Sequence, residues 1–329
     1  MIPTMSELRW AAPTRADDEA WLELLAAMER LDGHGETYTL ADVDDEWASV
    51  WSHPETDAMF VWDGPELVAF AWLKTQLGQR AHHRMAVWGG VRPSHRGRGI
   101  GRTVLEWQLR RAAVVAASLD GSLPTSLRVD VGDAQPDHLH LCERAGFALV
   151  RRFLEIGRPV GHELEAVAAP PGIVVEAWSD ARDESTRLAH VESFADRWDA
   201  EPRSREEWLQ WYTGNRQFRP DLSFVAVDQA TDEVVAFTLC AAYPDDWAVG
   251  PREAWVNSVG TRRAWRGRGL GRAVLTRALG SIEAADDAFE RAILGVDAAN
   301  PTGALGLYRS LGFVDVRALS TLGRPAPQI

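Results

Sequence analysis

Two stretches of this chain repeat one pattern, and that repeat decides the fold. The first runs Val91-Arg-Pro-Ser-His-Arg-Gly-Arg-Gly-Ile-Gly-Arg-Thr-Val-Leu-Glu106, and the second runs Thr261-Arg-Arg-Ala-Trp-Arg-Gly-Arg-Gly-Leu-Gly-Arg-Ala-Val-Leu-Thr276. Nine of the sixteen positions are identical at an offset of 170 residues, and a Gly-Phe pair follows each copy, at Phe147 and Phe313. Because internal repeats mark duplicated structural units, the 329 residues predict two homologous domains in tandem.

The hydrophobic pattern predicts the same mixed architecture in both halves. A stretch of small residues and prolines at residues 166–172 is typical of a linker, which predicts domains at residues 1–165 and 172–329. Each half shows a helix (residues 17–31 and 181–197), then β-rich runs, then a strand that enters the repeated stretch. We therefore expect an α+β fold with two tandem domains, each a mixed, mostly antiparallel sheet flanked by helices. Apolar residues recur at helical spacing behind the second copy, at Leu270, Val274, Leu275, Ala278, Leu279 and Ile282.

Composition excludes several classes of protein. The formal net charge of −13 argues against nucleic acid as the main partner. There is no apolar run long enough to span a membrane and no signal-peptide pattern at the start, so we expect a cytoplasmic protein with no membrane partner. Cys142 and Cys240 are too few for a disulfide framework or a cysteine-rich metal site. His138 and His140 lie two apart on a predicted helix and would point in different directions, so we expect no metal.

The repeated stretch predicts a binding site for phosphate. Glycines let a backbone turn bring its N–H groups close to an anion, and the N-terminus of the following helix adds positive charge. The alternative is an exposed basic turn without a ligand, which is less plausible because the pattern occurs twice in the same context. A Walker loop needs a lysine, and the single lysine is Lys74. A dinucleotide fingerprint needs a third glycine where Val104 and Val274 stand.

The remaining pattern, Arg-x-x-Gly-x-Gly, resembles the GNAT superfamily of acetyl-CoA-dependent N-acyltransferases. The similarity continues downstream in Asn300-Pro-Thr-Gly-Ala304 and in Leu307-Tyr-Arg-Ser-Leu-Gly-Phe313. It implies acetyl-CoA as the cofactor, with the loop amides on its pyrophosphate and the preceding strand along its pantetheine arm. The residues that it implicates in the second half are Val259, Gly260, Thr261, Arg266, Gly267, Arg268, Gly269, Leu270, Gly271, Arg272 and Asn300. Those in the first half are Arg96, Gly97, Arg98, Gly99, Gly101 and Arg102.

The same resemblance implies a catalytic acid in the second half alone. In the family, a tyrosine four residues before the Gly of Gly-Phe commonly protonates the departing thiolate, and that residue here is Tyr308. The first half has Cys142 at that position, and the counterpart of Asn300 falls near Ala134. We therefore expect a degenerate N-terminal domain that could still bind coenzyme A, and a catalytic C-terminal domain.

The sequence indicates the catalytic base less clearly than the catalytic acid. Glu253 lies thirteen residues before Arg266, where histone-type members of the family carry a catalytic glutamate, although it could equally be an exposed residue at a strand end. Since no histidine follows His190, we expect no histidine base in the second domain. A carboxylate or water must then serve, with Asp297 and Asp245 in reserve.

The resemblance implies transfer of acetyl to a primary amine of a small molecule by direct attack in a ternary complex. The acidic balance would favour a cationic acceptor, such as an aminoglycoside-like compound or a polyamine. Length and tandem layout are also similar to those of mycothiol-synthase-type enzymes. A third possibility is a sensor that binds acyl-CoA without turnover, and amine-dependent release of thiol separates it from an enzyme.

Overall fold

The computed structural model describes residues 8–77, 81–165, 167–198, 200–299 and 303–327. The chain divides into unit 1, Met1–Arg152 with Leu319–Ile329, and unit 2, Phe153–Ala318. No helix among the described residues is long and apolar enough to cross a membrane.

Unit 1 carries the first copy of the repeat. Its elements are β1 (Arg9–Ala11), α1 (Asp18–Asp32), α2 (Leu40–Ala48), α3 (Pro54–Asp57), β2 (Ala58–Asp63), β3 (Glu66–Gln76), β4 (His83–Val91), α4 (Ile100–Ser118), β5 (Thr125–Gly132), α5 (Pro136–Arg144) and the start of β6 (Ala148–Pro159). The strands from β1 to β4 pair antiparallel in chain order, and β4 pairs parallel with β5.

Unit 2 repeats this order with the second copy. Its elements are β7 (Ile173–Ala177), α6 (Asp183–Ser193), α7 (Arg205–Trp208), β8 (Phe224–Asp228), β9 (Glu233–Ala242), β10 (Glu253–Thr261), α8 (Leu270–Ala284), β11 (Arg291–Asp297), α9 (Ala304–Ser310) and the start of β12 (Val314–Pro325). The strands from β7 to β10 pair antiparallel in chain order, and β10 pairs parallel with β11. The predicted α+β fold with mixed, mostly antiparallel sheets is confirmed.

The last strand of each unit comes from the opposite half of the chain. Residues 153–159 of β6 pair antiparallel with β11 inside unit 2, and residues 319–325 of β12 pair antiparallel with β5 inside unit 1. The units therefore do not coincide with the predicted ranges 1–165 and 172–329. The physical reason is that each of these long strands covers a sheet edge, and local sequence does not specify which edge.

The two faces of the unit 2 sheet are covered by different helices. One face packs on α8 and α9, where the predicted apolar stripe from Leu270 to Ile282 is buried in a single cluster. The other face packs on α6 and α7, and its cluster contains Trp178, Trp208 and Phe237. Because helices cover both faces, the loop between β10 and α8 is held in a defined position relative to the sheet. This loop is part of the candidate functional site.

Candidate functional site

The repeated loop in unit 2 presents a row of unused backbone donors. Gly267 and Gly269 adopt φ of +75° and +79°, a region that favours glycine, and Gly269 precedes α8 without a side-chain cap. Among the described residues, none accepts a backbone hydrogen bond from the N–H groups of residues 267–272. Six free donors at the positive end of a helix form a cradle for an anion.

The loop in unit 1 has the same geometry. Gly97 and Gly99 adopt φ of +76° and +87°, and Gly99 precedes α4 without a side-chain cap. Within the described part of the chain, the N–H groups of residues 97–102 also have no acceptor. Both copies therefore present the same row of unused backbone N–H donors at the N-terminus of a helix.

The first arginine of each loop hydrogen-bonds nearby backbone carbonyl groups and does not extend freely into the cradle. Arg266 donates to the carbonyl oxygens of Thr261 and Ser193, at 3.3 and 2.9 Å, and its Nη1 lies 3.2 Å from Asp196. Arg96 makes the matching contacts in unit 1, with both Nη atoms 2.6 Å from the carboxylate of Asp32. These arginines tie the loop to the end of the preceding helix, so their contribution to anion binding is mainly indirect.

The other loop arginines are also partly engaged. Arg268 donates to the carbonyl of Ala264 at 3.2 Å and stacks over the ring of Trp265 at 4.7 Å. Arg98 makes the equivalent bond to Ser94 in unit 1, at 2.7 Å. Arg272 donates to Ser310 at 2.9 Å, which links the first turn of α8 to the end of α9.

Strands β10 and β11 separate next to this loop and open a cleft. They pair over Glu253 to Trp255 and Arg291 to Ile293, and not beyond. The pairing of β10 with β9 is interrupted by a register shift between Val256 and Ser258, which leaves Asn257 as a bulge. The cleft has a volume of about 470 Å³. The residues from the predicted site that line it are Val259, Gly260, Thr261, Arg266, Gly267, Gly269, Leu270, Gly271, Arg272 and Tyr308.

Tyr308 reaches the cleft from α9. Its side chain is 8% exposed and packs in the cluster under α8. Burial raises the pKa of the Tyr308 hydroxyl to about 12, so the group keeps its proton throughout the physiological range. A neutral hydroxyl next to a phosphate cradle is able to donate a hydrogen bond or a proton to a reacting atom.

Glu253 does not lie among the residues that line this cleft. Its Oε1 accepts a hydrogen bond of 2.6 Å from Nε of Arg291 on the neighbouring strand, and its side chain is mostly buried. The structure therefore does not bring the predicted base to the predicted acid. Of the two reserve candidates, Asp297 lines the cleft and Asp245 does not. Asp297 lies at the end of β11, where its Oδ1 accepts a hydrogen bond of 2.9 Å from the N–H of Ala299.

Two further expectations need correction or lie outside the structure. The second domain does contain a histidine, because His190 lies on α6 inside unit 2. Burial lowers its pKa to about 3, so the ring is neutral, and Nε2 lies 3.1 Å from the hydroxyl of Tyr212.

Asn300 is not among the described residues. No group of three potential metal ligands occurs in the described ranges.

One wall of the cleft is formed by residues that the sequence analysis did not identify. The helix expected over residues 181–197 ends at Ser193, and the turn that follows brings Phe194, Asp196, Arg197 and Trp198 to the cleft. A run of aromatic and charged residues directly after a helix was the available signal, but helical periodicity alone placed it inside the helix.

Comparison with known protein families shows to which family this chain belongs. The family model described as Acetyltransferase (GNAT) family matches residues 18–147 and 183–313, which together exceed half of the chain. The chain belongs to the GNAT acetyltransferase family. It is an acetyl-CoA-dependent N-acetyltransferase.

Curated relatives match most of the chain, and solved structures share its fold over nearly the whole length. A mycothiol acetyltransferase of Saccharopolyspora erythraea is 30% identical over 261 residues, covering 76% of this chain and 79% of its own. One from Frankia alni is 29% identical and covers 94% and 92% of the two chains. A GCN5-related N-acetyltransferase from Sphaerobacter thermophilus shares the fold with a TM-score of 0.75 at 24% identity, covering 99% and 98%. A tandem GNAT protein from the clavulanic acid biosynthesis pathway gives a TM-score of 0.71 at 17% identity, covering 98% and 100%.

The two GNAT units differ where chemistry would take place. Cys142 in unit 1 stands where unit 2 has Tyr308, and burial raises the pKa of its thiol to about 11. Val131 stands where unit 2 has Asp297. The register of β4 with β3 runs without a shift, so unit 1 lacks the counterpart of the bulge at Asn257. The two GNAT units thus share the cradle but not the polar groups of the cleft.

Proposed function

We propose that unit 2 transfers acetyl from acetyl-CoA to a primary amine of a small molecule, by direct attack within a ternary complex. The observation that carries this proposal is the convergence of three features on one cleft: the anion cradle, the separated strands and the neutral hydroxyl of Tyr308. Acetyl-CoA supplies an activated thioester, and the residues of unit 2 bind, orient and exchange protons.

The cradle fits the pyrophosphate of the acyl donor. The N–H groups of residues 267–272 are free donors, and Gly267 and Gly269 leave open space where a Cβ would stand. Val259, Gly260 and Thr261 lie in the part of β10 that no longer pairs with β11, and their backbone on that side offers strand-like hydrogen bonds to the amide groups of the pantetheine arm. An N–H of β10 near Val259 would stabilise the oxyanion that forms at the thioester carbonyl.

The reaction requires several proton transfers, and we propose two side chains that take part in them. The amine must lose one proton before it attacks the carbonyl carbon and another when the tetrahedral intermediate collapses, while the departing sulfur gains one. Tyr308 is the proposed donor to sulfur. The carboxylate of Asp297 lies in the cleft and can hydrogen-bond the amine directly or through water, a role that Glu253 could fill only from outside the cleft.

Unit 1 is proposed to bind coenzyme A without turnover, since its cradle matches that of unit 2 and Cys142 replaces the acid. The relatives named mycothiol acetyltransferases make a mycothiol-type acceptor one candidate to test. Other small amines remain candidates as well.

The test is amine-dependent acetylation by the purified full chain. Acetyl-CoA is supplied with a panel of amines, and N-acetyl products are measured by mass spectrometry because acceptors that carry a thiol would disturb a thiol-release assay. We expect at least one amine to be acetylated well above the background without enzyme. Binding of coenzyme A by calorimetry without any product would instead indicate a sensor.

A second prediction compares two variants, each of which neutralises one of the two candidate bases. We expect Asp297→Asn to lower kcat/KM for the acceptor about tenfold, the loss that follows from one hydrogen bond to a charged group. Glu253→Gln should change it less than about twofold, because that carboxylate contacts Arg291 outside the cleft. Each variant removes one charge without changing shape, so each controls for the other. A larger loss in Glu253→Gln would assign the base to Glu253.

A further inference from the structure

Ser258 carries a buried hydroxyl that has no hydrogen-bond partner among the described residues. Its side chain is 5% exposed, its Oγ is unpartnered, and the residue lines the cleft beside the repeated loop. A buried polar group without a partner costs free energy, and in a native structure it often marks a place where a water molecule or a ligand binds. Rotation about one bond moves a serine hydroxyl between staggered positions, so Oγ can turn towards a molecule in the cleft.

The bulge at Asn257 is what turns Ser258 towards α6. Residues two apart on a regular strand share a face, yet Val256 is buried in the cluster under α8. Ser258 lies directly opposite Leu239, which belongs to the cluster on the α6 side, and directly opposite residues project from the same face. The extra residue therefore moves the Ser258 hydroxyl to the other face of the sheet. Asn257 itself is exposed and lines the cleft.

A second unpartnered hydroxyl faces the same part of β10. Ser193 ends α6 and lines the cleft, and its buried Oγ also has no hydrogen-bond partner in the described part of the chain. A Cβ at Gly260 would lie 3.1 Å from Cβ of Ser193, so the helix approaches the strand closely here. Gly260 lies opposite Phe237 of the α6-side cluster, and it therefore shares a face with Ser258. Two serine hydroxyls and the Asn257 amide thus line one stretch of β10, and none of them carries a charge.

These uncharged groups lie next to the proposed reaction centre. Ser258 directly precedes Val259, near which the proposed oxyanion donor lies, whereas Tyr308 belongs to the cluster on the opposite side of the sheet. A group bound to Ser258 would therefore lie beside the reacting carbonyl, on the face that is not occupied by Tyr308 and the sulfur it protonates. That face is left for the acceptor.

We propose that Asn257, Ser258 and Ser193 form an acceptor subsite that recognises a hydroxyl on the carbon next to the one bearing the amino group. The inference rests on the proposed transferase function and specifies its acceptor as a 1,2-amino alcohol. A ligand hydroxyl both donates and accepts hydrogen bonds, so it pairs with the amide of Asn257 and with a serine hydroxyl at the same time. An alkyl group in its place would leave the serine hydroxyls unpaired, and a site built to bind a hydroxyl discriminates strongly against the analogue that lacks it.

Unit 1 carries apolar side chains at the two strand positions of this subsite. At the offset of 170 residues, Val87 and Trp88 stand where unit 2 has Asn257 and Ser258. The ring of Trp88 packs among the aromatic rings of the neighbouring cluster. The strand groups of the subsite thus occur only in the unit that also carries Tyr308.

The test compares acetylation of ethanolamine with that of propylamine, two amines of similar size that differ by a hydroxyl in place of a methyl group. We expect Ser258→Ala to lower the ratio of kcat/KM for ethanolamine to kcat/KM for propylamine about tenfold, the loss that follows from one hydrogen bond that is no longer made. Asn257→Val should lower the same ratio by a similar factor. The two amino groups differ in pKa, but this difference cancels when a variant is compared with wild type. The N-acetyl products are measured by mass spectrometry.

Thr238→Val is the matched control, because Thr238 also carries a fully buried hydroxyl without a partner among the described residues but does not line the cleft. Calorimetric binding of coenzyme A verifies that each variant is folded. A ratio that changes less than twofold in Ser258→Ala, or that changes equally in Thr238→Val, overturns the subsite, as does acetylation of other amines without ethanolamine. If wild type acetylates no amine of any kind, the proposed function itself fails, and the two failures are thereby distinguished.

Discussion

Replacing Tyr308 by phenylalanine is expected to lower kcat by about 10²-fold to 10³-fold, the usual cost of removing one donor that stabilises charge in the transition state. The ring remains in its buried position, so KM for acetyl-CoA should change little. The pKa of Tyr308, raised to about 12 by burial, lies well above that of a typical thiol near 8.5. The hydroxyl is therefore fully protonated when the thiolate departs, and it is expected to donate to the sulfur as negative charge develops there. Steady-state kinetics with a saturating amine measures the effect.

The pH dependence gives an independent check of this role. A tyrosine with an ordinary pKa near 10 would begin to lose its proton, and with it the donor function, as pH approaches 10. Because the pKa of Tyr308 is raised, the donor form persists to higher pH, and kcat should show no decline caused by this group between pH 8 and pH 10. Tyr243→Phe is the control, since Tyr243 lies outside the cleft. Near-normal turnover in Tyr308→Phe would show that Tyr308 is not the donor to the departing sulfur.

Much of the architecture follows from the repeat and its periodicities. Identity between the two copies requires two similar units, and alternation and helical spacing predict the strands and helices around them. The two cradles were predictable for a local reason: Gly267 and Gly269 sit where the turn needs positive φ, and the apolar stripe behind them requires a helix. Tyr308 reaches the cleft because α9 is short and its apolar face must pack below α8.

What was not predictable depends on contacts between residues distant in sequence. The pairing of Glu253 with Arg291 joins two strands whose register is set by the whole sheet. The bulge at Asn257 has no glycine or proline to mark it. The anchoring of Arg266 depends on where α6 ends, and that end lies four residues before the end of the predicted helix.

The choice between the two units can be tested by the same substitution in each cradle. A β-branched residue is a strong outlier at positive φ, so Gly269→Val and Gly99→Val impose matched strain at φ of +79° and +87°. In unit 2 the distorted loop would lose its alignment with the pyrophosphate. Two hydrogen bonds to a charged group, at about 1.5 kcal/mol each, correspond to about a hundredfold loss of affinity.

We therefore expect Gly269→Val to raise KM for acetyl-CoA about a hundredfold, while Gly99→Val changes turnover by less than about twofold. Calorimetry separates the units further, because two equivalents of coenzyme A in wild type should fall to one in either variant if both cradles bind. Equal losses of activity in the two variants would mean that unit 1 takes part in catalysis. That result would conflict with Cys142 and Val131, since neither side chain can replace Tyr308 or Asp297 in the exchange of protons. The comparison thus tests whether the cradle alone suffices for transfer or whether the polar groups of the cleft are needed as well.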